Sequence, residues 1–235
     1  MATRDCSNIH LQASVAQHRL RRHDREHLHE DSTTSNNEPR TVSIFALLVL
    51  FVSYEVLTFL AYTVHFRLLG AENLSTSWFV DSYVVQTVLV LVFLIFHRQI
   101  LRLSTLRPKW EDALWFALGF LVNGLPIPRT QRVEFSHQFS LWTYAMVLVA
   151  YGPIVEELFV RGIFLRSLIE RFPKIVAILG VSLIWALDHV NFWASLPLQL
   201  TLCIVYVCRK NSLSASIACH VGGNLAALVF YSKIA

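Results

Sequence analysis

From about residue 41 onward the chain alternates long apolar stretches with short polar interruptions, whereas residues 1–40 carry no sustained apolar run. Seven apolar stretches stand out, at about 41–66, 78–101, 111–125, 139–160, 174–193, 196–208 and 212–231. A helix surrounded by lipid is apolar nearly all round, so length rather than helical periodicity marks these segments. The third and sixth fall short of the ~20 residues a perpendicular crossing needs, which predicts that each is tilted, re-entrant or extended past its apolar part. The pattern predicts an all-α, polytopic transmembrane helix bundle of about seven spans, or eight if one further crossing is made.

Composition strengthens that reading. The chain is 54% hydrophobic and 15% charged, with a mean hydropathy of +0.49, too apolar for an ordinary soluble domain. Residues 1–40 hold six Lys/Arg, six Asp/Glu and five of the ten histidines, a composition expected of a disordered cytoplasmic tail with no signal-peptide h-region. His23 and His27 would share a face of a helix, and with His18 and His29 they offer a metal-capture alternative to a plain polar tail. The transmembrane helical domain then spans 41–235.

The basic residues orient the bundle. With the N-terminus inside, 16 of the 20 Lys and Arg fall on cytoplasmic segments, including Arg161, Arg166, Arg171 and Lys174, while Arg67, Arg129, Arg132 and Lys233 fall outside. This bias and anionic headgroups account for the net charge of +4, so no nucleic-acid partner is needed to explain it. The lipid bilayer is the partner it implies. Four cysteines, Cys6, Cys203, Cys208 and Cys219, form neither a CxxC pair nor a disulfide framework. No Gly-rich phosphate loop is present.

Against this apolar background, Glu156-Glu157 in the fourth stretch is costly, by roughly 2.5–3.5 kcal/mol per charge near a bilayer centre. At 100° per residue, Glu157 and Arg161 lie about 40° apart, but Glu156 and Arg161 lie about 140° apart. Glu157 is thereby placed to pair with Arg161 as structural support, and Glu156 is left to face water or a substrate. Gly152-Pro153, just before them, is expected to kink the helix and free a carbonyl.

Two later helices supply partners. Trp185 and His189 share a face, as do His220 and Asn224. Around the latter, Ser212, Ser214, Ser216, Gly222 and Gly223 allow another helix to approach closely. Each element has a structural explanation: a membrane histidine or asparagine often joins helices by hydrogen bonds, Trp185 could anchor at an interface, and Asp188 could be solvated there. Together, Glu156, His189, His220 and Asn224 predict one polar pocket inside the bundle.

These three elements resemble the motifs of the CPBP family of intramembrane proteases, grouped with type 2 CAAX prenyl endopeptidases and bacteriocin-processing proteins. The resemblance is EExxxR at Glu156-Glu157 to Arg161, FxxxH at Trp185 to His189, with tryptophan where the family usually has phenylalanine, and HxxxN at His220 to Asn224. It covers about residues 139–231. It implies an endopeptidase acting on a membrane-associated peptide or protein substrate, with Glu156 as general base, His189 positioning the water, and His220 with Asn224 stabilising the oxyanion. The cofactor implied is none or zinc; in the zinc version His189, His220 and Glu156 would be the ligands, with one position open for water.

Two other readings remain open on sequence. One is a bacteriocin-immunity protein or membrane scaffold built on a protease-like fold. The other is a proton-coupled transporter using the Glu, His and Asn residues as a relay, although no inverted repeat of broken helices is present.

Overall fold

Among the described residues the fold is the packing of seven helical stretches. The computed structural model describes residues 42–69, 74–97, 103–124, 133–134, 142, 145–189 and 191–233. The expected disordered tail, with its histidines and Cys6, lies outside the described residues.

Helix α1 (Ile44–Leu69) starts at Ser43, whose hydroxyl accepts the Ala46 amide at 3.0 Å and satisfies one of the donors left open at a helix start. Helix α2 (Leu74–His97) returns beside it. A 3-10 turn (Leu103–Leu106) leads to α3 (Asp112–Gly124), whose first residue caps its own entry by accepting the Lys109 amide at 2.9 Å.

The fourth stretch, α4, is one helix of changing pitch. A π segment (Met146–Tyr151) passes into an α segment (Gly152–Glu157), then a second π segment (Leu158–Leu165), and closes with an α turn (Arg166–Ile169). It therefore runs well beyond the expected end near residue 160. Arg161, assigned by charge bias to a cytoplasmic segment, is instead inside this helix and fully buried. Its neighbours Phe159, Val160, Ile163 and Leu165 are also fully buried, so α4 runs through the middle of the bundle.

Pro173 opens α5 (Lys174–Leu187), which ends earlier than the expected 193. Helix α6 (Phe192–Cys208) carries Pro197 internally. It ends with Lys210 and Asn211 at φ 55° and 63°, and the Asn211 amide reaches back to the Tyr206 carbonyl at 2.8 Å, a left-handed helix stop made without glycine. Helix α7 (Leu213–Tyr231) follows. A two-residue parallel bridge, Val133–Glu134 (β1) with Ser232–Lys233 (β2), is the one strand pairing among the described residues.

By length and composition, Ile44–Leu68 and Leu213–Phe230 can each cross a membrane; Asp81–Phe96, Asp112–Gly124, Lys174–Leu187 and Phe192–Cys208 are shorter apolar helices. The close approach expected at the small residues of α7 is made by α3. A Cβ on Gly222 would run into the Phe116 carbonyl, and one on Gly119 into the Cys219 carbonyl, so both glycines are needed for backbone-to-backbone contact. Asn123 locks the pair by donating to the Gly223 carbonyl at 2.7 Å. Cys203, Cys208 and Cys219 are free thiols.

Trp185 is buried in an aromatic cluster rather than anchored at an interface. Tyr54 stacks beside it at 6.4 Å between centroids, and Phe51, Phe159 and Phe164 meet it edge-on or tilted at 5.5–5.9 Å. The ring on α5 thus ties α1 to α4, at the level where the polar residues converge.

Candidate active site

A carboxylate can stay ionised in an apolar interior only if its oxygens are matched by donors. Glu157 meets that demand fully. It has no exposed surface, and its Oε1 accepts from Arg161 Nη1 at 3.0 Å and lies 2.8 Å from His220 Nδ1, while its Oε2 accepts the Ser216 hydroxyl. Arg161 in turn donates through Nη2 to the side chain of Gln199 at 2.5 Å and to its backbone carbonyl at 3.2 Å. One buried network therefore joins α4, α6 and α7.

Glu157 has a second consequence beyond its pairing with Arg161. By holding His220 at Nδ1, it fixes the ring so that Nε2 points away, toward Glu156. The Glu156 Oε2 atom lies 3.7 Å from that Nε2, too far for a direct hydrogen bond and close enough for both to touch one small group. Oε2 is itself buried and has no hydrogen-bond partner. The two adjacent glutamates are thus distinguished by the helix: Glu157 is fully satisfied, and Glu156 keeps one oxygen open.

Asn224 is anchored by α4. The Gly152 amide bonds to the Val147 carbonyl in the wide i→i−5 pattern of the first π segment, and the next acceptor in that pattern is the Leu148 carbonyl. It would face the nitrogen of Pro153, which has no hydrogen to give. Asn224 Nδ2 supplies the missing donor at 2.7 Å. The carbonyl freed by Gly152-Pro153 is therefore matched by an α7 side chain, and the second hydrogen of the same amide group is not used by this bond.

His189 stands at the C-terminal end of α5, half-buried, with Nδ1 2.7 Å from the Trp185 carbonyl, so that Nδ1 carries the hydrogen and Nε2 the lone pair. Among the described residues no ion pair joins it to Glu156 or His220. Its neighbour Asp188 is not a freely solvated interface residue: Tyr54 donates to it at 3.4 Å, and it lies within electrostatic range of Glu156. Among the described residues no three His, Cys, Asp or Glu side chains are grouped as a metal ion requires. His189, His220 and Glu156 as placed do not fit a zinc ligand set, and no step below runs through a metal.

Four further residues belong to the site. Ser216 lies one turn before His220 on the same face, a spacing that the sequence displays. Gln199 sits in an apolar helix, where a buried amide signals a partner. Tyr83 and Tyr54, on α2 and α1, border Glu156 and Asp188. For Tyr83 the sequence signal is the run of polar positions Ser82, Tyr83 and Gln86 inside an apolar span.

Comparison with known proteins covers the part of this site that lies on α4 to α7. Residues 138–226 match the family model described as Type II CAAX prenyl endopeptidase Rce1-like, over the region that carries the EExxxR, WxxxH and HxxxN residues. No curated protein and no solved structure gives a match.

Proposed function

We propose, from the premise of an Rce1-like domain at residues 138–226, that this chain is an intramembrane endopeptidase that cleaves peptide bonds of membrane-associated substrates. The observation that carries the reading is the open Oε2 of Glu156, buried, unpartnered and 3.7 Å from a His220 nitrogen whose ring is aimed by Glu157. A general base needs such an oxygen within reach of a water, in a cavity poor enough in solvent for electrostatic effects to be strong.

In this reading Glu156 takes a proton from a water as its oxygen attacks the scissile carbonyl carbon. His189 Nε2 helps orient that water. The negative charge that develops on the carbonyl oxygen is met by His220, acting as an imidazolium that gives its Nδ1 hydrogen to Glu157 and its Nε2 hydrogen to the oxyanion, and by the Asn224 amide hydrogen that Leu148 does not use. Glu156 then passes its proton to the leaving amine as the carbon–nitrogen bond breaks. Glu157, Arg161, Ser216 and Gln199 hold the frame and touch no reacting atom.

We further read α1–α7 as about seven crossings with the N-terminus in the cytoplasm. The apolar helices and the basic residues of the connecting segments support this orientation. Prenylated CAAX tails are the substrate class that the family description suggests.

The test is a comparison of protein termini by quantitative mass spectrometry in membranes from cells expressing wild type or Glu156→Ala at matched levels. New termini that require Glu156 are expected. Identical termini under full coverage of membrane peptides would leave a scaffold or immunity role as the better account.

A further inference from the structure

Glu156 has a neighbour that lies outside the matched family region. Tyr83, on α2, is 4% exposed, and its hydroxyl lies within interaction range of the Glu156 carboxylate. The geometry that brings it there is visible on α4. Gly152 and Glu156 are one turn apart on the same face, and a Cβ built on Gly152 would stand 2.6 Å from the Tyr83 hydroxyl oxygen and 2.7 Å from the ring carbon that bears it. The absent side chain at Gly152 is therefore the space the Tyr83 hydroxyl occupies on its way to Glu156.

The ring is held from other sides as well. Tyr151 meets it edge-on at 6.3 Å, and the Tyr151 hydroxyl is 2.5 Å from Thr87 Oγ1, which donates back to the Tyr83 carbonyl at 2.6 Å. Tyr83 is thus fixed at its backbone and its ring. Glu156, by contrast, has one oxygen with no hydrogen-bond partner and has His220 only at 3.7 Å. A carboxylate held at one oxygen by a rigid phenol cannot rotate freely about its last bond, and its other oxygen stays aimed at the space before His220 Nε2.

We propose that Tyr83 is a positioning residue for Glu156, a phenol on α2 that clamps one carboxylate oxygen over Gly152 so that the other is presented to water. The proposal rests on the reading of Glu156 as the base, and it makes α2 part of the active site. Tyr83 acts through Glu156 and is assigned no contact with substrate.

Two measurements on purified, full-length protein in lipid nanodiscs test it. In difference infrared spectra the Glu156 carboxyl band is identified as the one lost in Glu156→Gln. That band is expected to shift in Tyr83→Phe, with thermal stability retained because only one oxygen is removed. In peptide cleavage, Tyr83→Phe is expected to lower kcat by about tenfold with KM nearly unchanged, the loss anticipated for one hydrogen bond to a charged group. Gly152→Ala, which drives the hydroxyl off, should shift the band in the same way. An unshifted Glu156 band, or an unchanged kcat in Tyr83→Phe, would overturn the proposal. If wild type cleaves no peptide, the enzyme reading fails, and the infrared band still decides the clamp.

Discussion

His220 faces neighbouring glutamates of one helix at both ring nitrogens: Nδ1 lies 2.8 Å from Glu157 Oε1, and Nε2 lies 3.7 Å from Glu156 Oε2. Because consecutive residues on α4 diverge by about 100°, the pair can flank an imidazole only by approaching different atoms of it. One carboxylate sets the ring and the other shares its free edge. The first expectation follows directly: Glu156→Gln should lower kcat by at least about a hundredfold, within the range for loss of a general base. Its melting temperature should stay near that of wild type, since Oε2 has no hydrogen bond to lose. Parallel cleavage and thermal-unfolding assays check both halves.

Glu157 and Arg161 should behave in the opposite way. Both have no exposed surface, and truncating either leaves a charge buried without its partner, a loss of about 3–5 kcal/mol for pairs of this kind. Arg161→Ala and Glu157→Gln should each melt well below wild type, and Glu157→Gln should also lose activity because His220 is no longer held at Nδ1. Equal melting temperatures for these variants and Glu156→Gln would refute this division of labour.

The bond from Asn224 to the Leu148 carbonyl makes a prediction about rescue. Asn224→Ala leaves a carbonyl without its donor and should cost about 1–3 kcal/mol. Pro153→Ala restores a backbone N–H one π turn after Leu148, so the double variant should recover part of the lost stability while activity stays low. Thermal unfolding of the two single variants and the double completes the cycle.

Glycines separate cleanly by surroundings. Gly119→Ala and Gly222→Ala each press a methyl into a backbone carbonyl across the α3–α7 contact, and each should destabilise by about 1–3 kcal/mol or more. Gly180, on α5, has nothing within 4 Å of a built Cβ, so Gly180→Ala should be neutral or stabilising by up to about 1 kcal/mol. Yield of monodisperse protein and melting temperature distinguish the two classes.

The helical character of the chain and the identity of its family region were legible in sequence, because lipid-compatible helices are marked by length and hydropathy and because EExxxR, WxxxH and HxxxN are local spacings. The continuation of α4 to Ile169 was not. A rule that places arginine outside the apolar core takes Arg161 for a boundary, and only a partner on the same helix, Glu157, with another on α6, Gln199, lets it stay inside.

Spacing along one helix also separated Glu156 from Glu157, since 100° per residue is a property of the backbone alone. What Glu157 holds besides Arg161 depended on which helix packs against that face, and α7 brings Ser216 and His220 to it. The free carbonyl at Gly152-Pro153 could be expected from the missing N–H of proline, but its identity as Leu148 follows from π pitch, which no residue pattern announces. Tyr83 is the extreme case. Its polar group in an apolar span was visible as an oddity, and its meeting with Glu156 across the space left by Gly152 belongs to tertiary packing, because hydrogen bonds between helices are set by approach and rotation rather than by distance along the chain.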